Sequence, residues 1–236
     1  MPSPQPQPGA NGAAAAADAA VQVADIRSLA LVGPAGAGKT SLAEALLAAS
    51  GAIVTAGSVE RGSTVGDHDP LARRMQHSLQ SAVLHTQWRG SRIHVIDTPG
   101  APDFIGHSLP ALEAVETAAI VINASTGIEP MAVRMMEWAK ERERDRIIIV
   151  NRIDAAGVDL AGVLQQIRAT FGNECLPLNL PDAGLIETLA PPERLALAYA
   201  PAALRGRWLA LLALDARMGG VVRGAREPDR KSTRLN

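Results

Sequence analysis

The segment that most constrains the fold is a glycine-rich loop set between a short apolar run and a helical run. Residues 26–33 read IRSLALVG, Gly33 to Thr40 read GPAGAGKT, and residues 41–50 read SLAEALLAAS. The pattern G-x-x-x-x-G-K-[ST] in this context is typical of a phosphate-binding loop. Its glycines let backbone N–H groups turn toward phosphate oxygens, and the helix N-terminus adds partial positive charge. The segment therefore predicts strand, phosphate loop and helix in succession.

Two side chains of this loop predict specific roles in a nucleotide site. Lys39 would place a positive charge on the β- and γ-phosphates, and Thr40 would hold Mg²⁺ through its hydroxyl. The loop alone does not distinguish ATP from GTP, or a kinase from a hydrolase. The candidate cofactor-binding residues of the loop are Gly33, Pro34, Ala35, Gly36, Ala37, Gly38, Lys39, Thr40 and Ser41.

The chain continues as an alternation of apolar runs and helical patterns. The runs TAAIVINAS (117–125) and RIIIVNRID (146–154) are nearly continuous, as in strands covered on both faces. Helical patterns fall at Leu109 to Glu116 and at Glu129 to Arg144, and residues 81–100 predict a two-stranded hairpin. We expect an α/β fold with a mostly parallel sheet, helices on both faces and ligands at the carboxyl ends of the strands.

One such strand end carries a second nucleotide motif. VIDTPG places Asp97 three residues before Gly100, in the form D-x-x-G. Asp97 would reach the magnesium, usually through water, and the backbone N–H of Gly100 would meet the γ-phosphate and sense its loss. Lys39 and Gly100 are thus the candidate catalytic residues. The candidate cofactor-binding residues here are Asp97, Thr98, Pro99, Gly100 and Ala101.

A third motif ends the run at 146–154 and favours guanine. Asn151-Arg152-Ile153-Asp154 is close to N-K-x-D, and all four residues are candidates for cofactor binding. The Asp154 carboxylate can accept hydrogen bonds from N1 and N2 of guanine, whereas adenine would leave it unpaired. Arg152 can lay its flat guanidinium over the base. The motif favours GTP over ATP.

In this order and spacing, GPAGAGKTSL, DTPGAPDF, STGIEP and NRID resemble the GTP-binding domain of elongation factor G, from about Ile26 to Asp182. LPLNLP at 176–181 strengthens the resemblance, and GSVE followed by D-x-D is similar to the divergent elongation factor G-like branch. The resemblance implies a P-loop GTPase domain that binds GTP, GDP and Mg²⁺, and a multidomain parent that uses hydrolysis for a step on the ribosome. A GTP-dependent switch with little hydrolysis, and a P-loop kinase or ATPase, remain as alternatives.

Two positions depart from the family pattern. Gly36 stands where most relatives have aspartate, and Ala101 stands where D-T-P-G-H carries the histidine that positions the attacking water. His107 lies in the next predicted helix and is no obvious substitute. Because a methyl group cannot orient water, we expect GTP binding with weak intrinsic turnover.

The third metal ligand has two candidates. RGST contains Thr64 and resembles the family's magnesium-closing phrase, but that residue must lie just before the first hairpin strand. Ser78 lies three residues before Ser81, where the strand is predicted to begin, whereas Thr64 lies far upstream. The predicted metal ligands are therefore Thr40, Ser78 and Asp97, and Thr64 would belong to the outer part of the same mobile loop.

Charge and cysteine content limit the partners. A net charge of −1 over 236 residues gives no bulk attraction to DNA or to an anionic membrane. Cys175 is the sole cysteine, which excludes an intrachain disulfide and fits a reducing cytosol. We expect a monomeric cytoplasmic protein that binds no membrane and no DNA.

The two ends differ from the central domain. Residues 1–24, rich in Pro, Gln and Ala, predict a disordered tail, and residues 25–183 predict the P-loop GTP-binding domain. Residues 184–228 would be a poorly defined C-terminal segment, either frame-shifted or folded as one or two amphipathic helices without the family's inserted strands. The last residues, 229–236, read DRKSTRLN, which back-translates into the start of a common sequencing-library adapter and predicts a non-native tail.

Overall fold

The secondary structure comes from a computed structural model that describes residues 22–66, 69–75, 77–88, 90–173, 175–177, 179–182, 185–188 and 195–200. The strands are β1 Ile26–Val32, β2 Ala82–Trp88, β3 Ser91–Asp97, β4 Thr117–Asn123, β5 Asp145–Asn151, β6 Cys175–Pro177, β7 Asn179–Asp182, β8 Leu185–Thr188 and β9 Leu195–Ala200. The helices are α1 Lys39–Ala49, α2 Pro70–Met75, α3 Ile105–Glu113, α4 Pro130–Glu141 and α5 Leu160–Phe171, with 3-10 turns at Val23–Asp25 and Pro102–Phe104.

A seven-stranded sheet organises these elements in the order β2-β3-β1-β4-β5-β9-β6. Only the β2–β3 hairpin pairs antiparallel within it, and the other pairs are parallel. Strands β7 and β8 form a separate antiparallel pair. The predicted hairpin and the mostly parallel sheet are both confirmed.

Helices cover both faces of the sheet because successive residues of a strand point to opposite sides. On one face, Leu29 and Leu31 of β1 pack with Leu42 and Leu46 of α1. On the other face, the neighbouring Val32 belongs to a larger cluster. Members of that second cluster from the helices include Leu112 of α3, Met135 of α4 and Ile167 of α5. The predicted coverage of both faces is thus confirmed.

The predicted helix boundaries shift by a few residues. Helix α3 begins at Ile105 rather than at Leu109, because the 3-10 turn Pro102–Phe104 leads directly into it. Helix α4 ends at Glu141, three residues earlier than predicted. Glu143 takes a left-handed φ of 54°, and the N–H of Arg144 bonds the carbonyl of Ala139 at 2.9 Å. This left-handed C-terminal cap stops the helix although its sequence remains compatible with helix.

The expectation of helices after residue 183 is wrong for the two stretches that the structure describes there. Leu185–Thr188 is a strand paired with β7, and Leu195–Ala200 is a strand inserted between β5 and β6. Ile149 of β5 is opposite Ala198 in this parallel pair. An apolar run of this kind fits the interior of a parallel sheet as well as a helix, and the unpaired edge of β5 decides between them. Of the tail predicted at 1–24, residues 1–21 lie outside the described residues, as does the tail predicted at 229–236. Residues 22–24 are described, and a 3-10 turn begins at Val23.

The described part of the chain contains no helix that is a candidate for membrane insertion. None of its helices is both long enough and apolar enough to cross a bilayer.

The central strand β4 provides a test of the assigned core. Ile120 is fully buried and sits opposite Val32 of β1 and Ile148 of β5. We expect Ile120→Ala to lower the free energy of unfolding by roughly 2–5 kcal/mol, because it removes methyl groups and leaves a cavity. Chemical denaturation followed by circular dichroism measures this. Val83→Ala, at a 68% exposed edge position, should change stability by less than about 0.5 kcal/mol; equal effects of the two changes would contradict the assigned core.

Candidate nucleotide site

The predicted phosphate loop joins β1 to α1 and is shaped by close backbone approaches. Gly38 precedes α1 with a left-handed φ of 87°, and a Cβ there would lie 2.3 Å from the Nδ2 of Asn151. A larger residue would therefore be strained in this backbone conformation and would displace the Asn151 side chain. Within the loop, Gly33, Pro34 and Ala37 are buried while Ala35 and Gly36 are exposed, and Ser41 is half-buried in α1.

Lys39 lies inside this loop rather than in solvent. Its side chain is 6% exposed, and its Nζ donates to the carbonyl oxygens of Gly33 at 2.9 Å and Pro34 at 2.8 Å. Burial lowers the pKa of Lys39 from 10.5 to about 8, and the negative charges of Asp97 and Glu129 oppose this shift. A phosphate beside the amine would favour its charged form further.

The D-x-x-G segment lies directly against the phosphate loop. A Cβ on Gly100 would come within 2.3 Å of the Nζ of Lys39 and within 2.5 Å of the backbone nitrogen of Ala35. The two candidate catalytic residues, Lys39 and Gly100, are therefore adjacent in space. Only glycine permits so close an approach. The neighbouring Thr98 is buried and donates its hydroxyl to the carbonyl of Leu31 at 2.8 Å. Thr98 therefore fastens the segment to β1.

Three oxygen-bearing side chains converge beside the loop. The Oγ1 of Thr40 donates to the Oδ2 of Asp97 at 2.6 Å and lies 3.2 Å from the Oγ of Ser78. Asp97 is 2% exposed, and Thr40 and Ser78 are half-buried. Two hydroxyls and a carboxylate form the hard oxygen donor set that Mg²⁺ prefers, so these residues fit the ion that the phosphate loop implies.

Thr64 lies in a different environment from Ser78. Its side chain is 4% exposed, and the following residue, Val65, bonds through its backbone to Glu44 of α1. The structure thus brings Ser78 to Thr40 and holds the chain at Thr64 against the helix.

The base-reading motif divides into a buried and an exposed part. Asn151 is 4% exposed and donates its Nδ2 to the carbonyl of Ala37 at 2.8 Å, which ties β5 to the phosphate loop. Arg152 has a left-handed φ of 57° and is exposed, as is Asp154, while Ile153 is half-buried. The residues predicted to meet the base therefore face solvent at the carboxyl end of β5.

Ala101 occupies the position of the family's water-orienting histidine. Ala101 is half-buried and precedes the 3-10 turn at Pro102, and the adjoining Pro99 carbonyl accepts the Ser108 hydroxyl at 3.0 Å. His107 is exposed on α3, and its backbone carbonyl accepts the hydroxyl of Ser81 at 2.8 Å.

Two carboxylates near the site were not predicted from the sequence. Glu129, which precedes α4, lies within electrostatic reach of Lys39. Glu44 is 1% exposed on α1 and accepts two backbone hydrogen bonds. The available signal for Glu44 was a lone charge among the apolar residues of SLAEALLAAS.

Comparison with known proteins identifies a family profile and several relatives that match this chain. Residues 24–221 match the profile of the elongation factor Tu GTP-binding domain. An elongation factor G-like protein of Mycobacterium tuberculosis is 35% identical over 182 residues, covering 77% of this chain and 26% of that protein. The tetracycline resistance protein TetW of Butyrivibrio fibrisolvens is 39% identical over 132 residues, 56% of this chain and 21% of its own length. The chain thus spans about a quarter of the length of these relatives.

Two solved structures agree with this match. A protein of Thermus thermophilus superposes with a TM-score of 0.65 at 31% identity, and the match covers 84% of this chain and 32% of that one. The bacterial selenocysteine-specific elongation factor EF-Sec, at 16% identity and a TM-score of 0.54, covers 85% of this chain and 29% of its own and supports the fold alone. Since the profile match includes most of the chain and all three nucleotide motifs, the chain belongs to the family of the elongation factor Tu GTP-binding domain, the GTPase family that its motifs resemble.

Proposed function

We propose that this chain is the GTP-binding domain of an elongation factor G-like translational GTPase, which couples GTP binding and hydrolysis to a ribosomal step. The observation that carries the proposal is the meeting of Lys39 and Gly100 beside the Thr40, Asp97 and Ser78 oxygens. Relatives named for elongation factor G support a translational role. The ribosome is accordingly the partner, and a monomer in the cytoplasm is the expected form.

Each group of the site has one task in this mechanism. Thr40, Ser78 and Asp97 would hold Mg²⁺, which when bound neutralises charge on the β- and γ-phosphates. Lys39 binds phosphate oxygens, and the N–H of Gly100 bonds the γ-phosphate. Water attacks the γ-phosphorus, the bond to the β,γ-bridging oxygen breaks, and GDP and inorganic phosphate leave. Loss of the γ-phosphate removes the partner of the Gly100 N–H, which signals hydrolysis to the following α3.

A second function, a GTP-dependent switch with little hydrolysis, is favoured by one residue. Ala101 stands where the family's histidine orients the attacking water, and its methyl group cannot do so. In that case GTP binding itself would set the conformation and a partner would read it. Phosphate release in the presence of ribosomes discriminates the two functions: strong stimulation favours the hydrolysing factor, and none favours the switch.

Asp154 provides a test of base specificity. We expect Asp154→Asn to weaken GTP binding about a hundredfold or more, because the carboxylate that accepts two guanine hydrogen bonds is lost. The asparagine amide can instead donate to the second carbonyl of xanthine, so xanthosine triphosphate should bind the variant better than the wild type. Competition of GTP, ATP and xanthosine triphosphate against a fluorescent GTP analogue measures this. A wild type that prefers ATP would contradict the guanine assignment and favour the kinase or ATPase alternative.

The third metal ligand is tested by paired substitutions. We expect Ser78→Ala to raise the Mg²⁺ concentration needed for half-maximal GTP binding by about tenfold or more, since even groups that only orient metal ligands contribute that much. Thr64→Ala is the matched control and should leave this requirement unchanged. Titration with Mg²⁺ at fixed GTP analogue reads both. The assignment is wrong if the Thr64 variant shifts the requirement and the Ser78 variant does not.

Ala101 predicts slow hydrolysis by the free protein. We expect the wild type to turn over GTP more slowly than histidine-bearing relatives, and Ala101→His to raise the rate by roughly 10²-fold, the usual contribution of a positioned acid–base group. Ala101→Leu is the control for added bulk and should not accelerate turnover. Single-turnover phosphate release measures all three proteins. A wild-type rate equal to that of histidine-bearing relatives would overturn the expectation.

A further inference from the structure

Glu44 is a buried carboxylate that the nucleotide mechanism does not use. It lies in the middle of α1 with 1% of its surface exposed, among apolar residues that pack on β1. A glutamate in such a place is costly unless hydrogen bonds compensate for lost hydration. Its partners therefore indicate why the helix tolerates it.

Both carboxylate oxygens of Glu44 accept backbone N–H groups from one loop. The Oε2 accepts from Gly57 at 2.8 Å, and the Oε1 accepts from Val65 at 2.5 Å. Hydrogen bonds of this charge-assisted kind are about twice as strong as neutral ones. The two donors lie at opposite ends of the segment 57–65, so the Glu44 side chain joins the two ends of that loop and closes it.

The loop 57–65 is also bonded within itself. The N–H of Ser58 donates to the Oγ of Ser63 at 3.0 Å, and the N–H of Ser63 donates to the carbonyl of Ser58 at 3.1 Å. A further turn joins the N–H of Gly62 to the carbonyl of Val59 at 3.0 Å. The loop is thus one compact unit that Glu44 attaches to α1.

The attachment point is aligned with the metal site. Glu44 follows Thr40 by four residues, one helical turn, so both side chains project from the same face of α1. From Val65 the chain continues through α2 to Ser78, whose hydroxyl lies 3.2 Å from that of Thr40. The segment between Val65 and Ser78 is therefore held at both ends by the same face of one helix.

The tip of the loop lies within electrostatic range of the base-reading motif. A hydrogen bond from Ser58 is the largest cause that lowers the pKa of the Glu60 carboxyl, and the charge of Arg152 is a smaller one. Arg152 is thus within electrostatic range of the loop tip.

We propose that Glu44 is a positioning residue for the magnesium site: by closing loop 57–65 onto α1, it fixes the path of the chain that delivers Ser78 to Thr40. The role rests on the proposed function, because it needs Ser78 to be a metal ligand. No direct contact between Glu44 and nucleotide or metal is required.

The test uses Glu44→Gln in the 236-residue chain. Glutamine keeps the size but replaces one accepting oxygen with an N–H₂ group, so one of the two loop amides loses its acceptor. We expect hydrogen exchange of the 57–65 segment to accelerate about tenfold or more, and the Mg²⁺ requirement for binding a fluorescent GTP analogue to rise by a similar factor. Binding of the analogue in excess chelator should stay at the wild-type level, which a general loss of structure would not allow. Glu137→Gln, an exposed change on α4, is the matched control and should change neither quantity.

A second variant removes one of the same hydrogen bonds without changing the sequence of α1, so a misfolded helix cannot explain its effects. Val65→Pro removes the donating N–H from the loop side and leaves α1 intact, so it should reproduce both effects of Glu44→Gln. Unchanged exchange in both variants, or faster exchange with an unchanged Mg²⁺ requirement, would overturn the positioning role. A wild type that binds no GTP analogue would instead refute the proposed function, and the exchange data would still report whether Glu44 holds the loop.

Discussion

Parallel pairing of the central strands is the constraint on which the site depends. Strands β3, β1, β4 and β5 run in the same direction, so their carboxyl ends meet at one edge of the sheet. The register places Asp97 beside Leu31 and Asn151 beside Asn123. Three motifs that are far apart in the sequence therefore come together at this edge of the sheet.

Close contacts then define the geometry of the phosphate loop at this edge of the sheet. The amide of Asn151 bonds the carbonyl of Ala37, and a Cβ at Gly38 or at Gly100 would collide with its neighbours. The loop is held by β5 on one side and by the D-x-x-G segment on the other, so contacts within the protein support its shape. Preorganisation of this kind reduces the free energy that binding spends on ordering the protein.

Much of this arrangement could be predicted from the sequence, and the misses have physical causes. Glycine patterns and apolar runs specify backbone behaviour locally, so the phosphate loop, the hairpin and the parallel strands were predictable. The strand at Leu195–Ala200 was not, because the free edge of β5 and not its own periodicity determines its conformation. The buried Glu44 was equally hidden: its partners are backbone N–H groups of Gly57 and Val65, and backbone donors carry no signature in a sequence.

Helix α1 concentrates three separate duties in its first two turns. Lys39 lies in the phosphate loop, Thr40 contacts Asp97 and Ser78, and Glu44 joins the two ends of loop 57–65. Because all three residues lie on one short helix, their backbone positions are fixed relative to one another. Ser78 lies outside α1, so its contact with Thr40 can break while Glu44 keeps loop 57–65 in place.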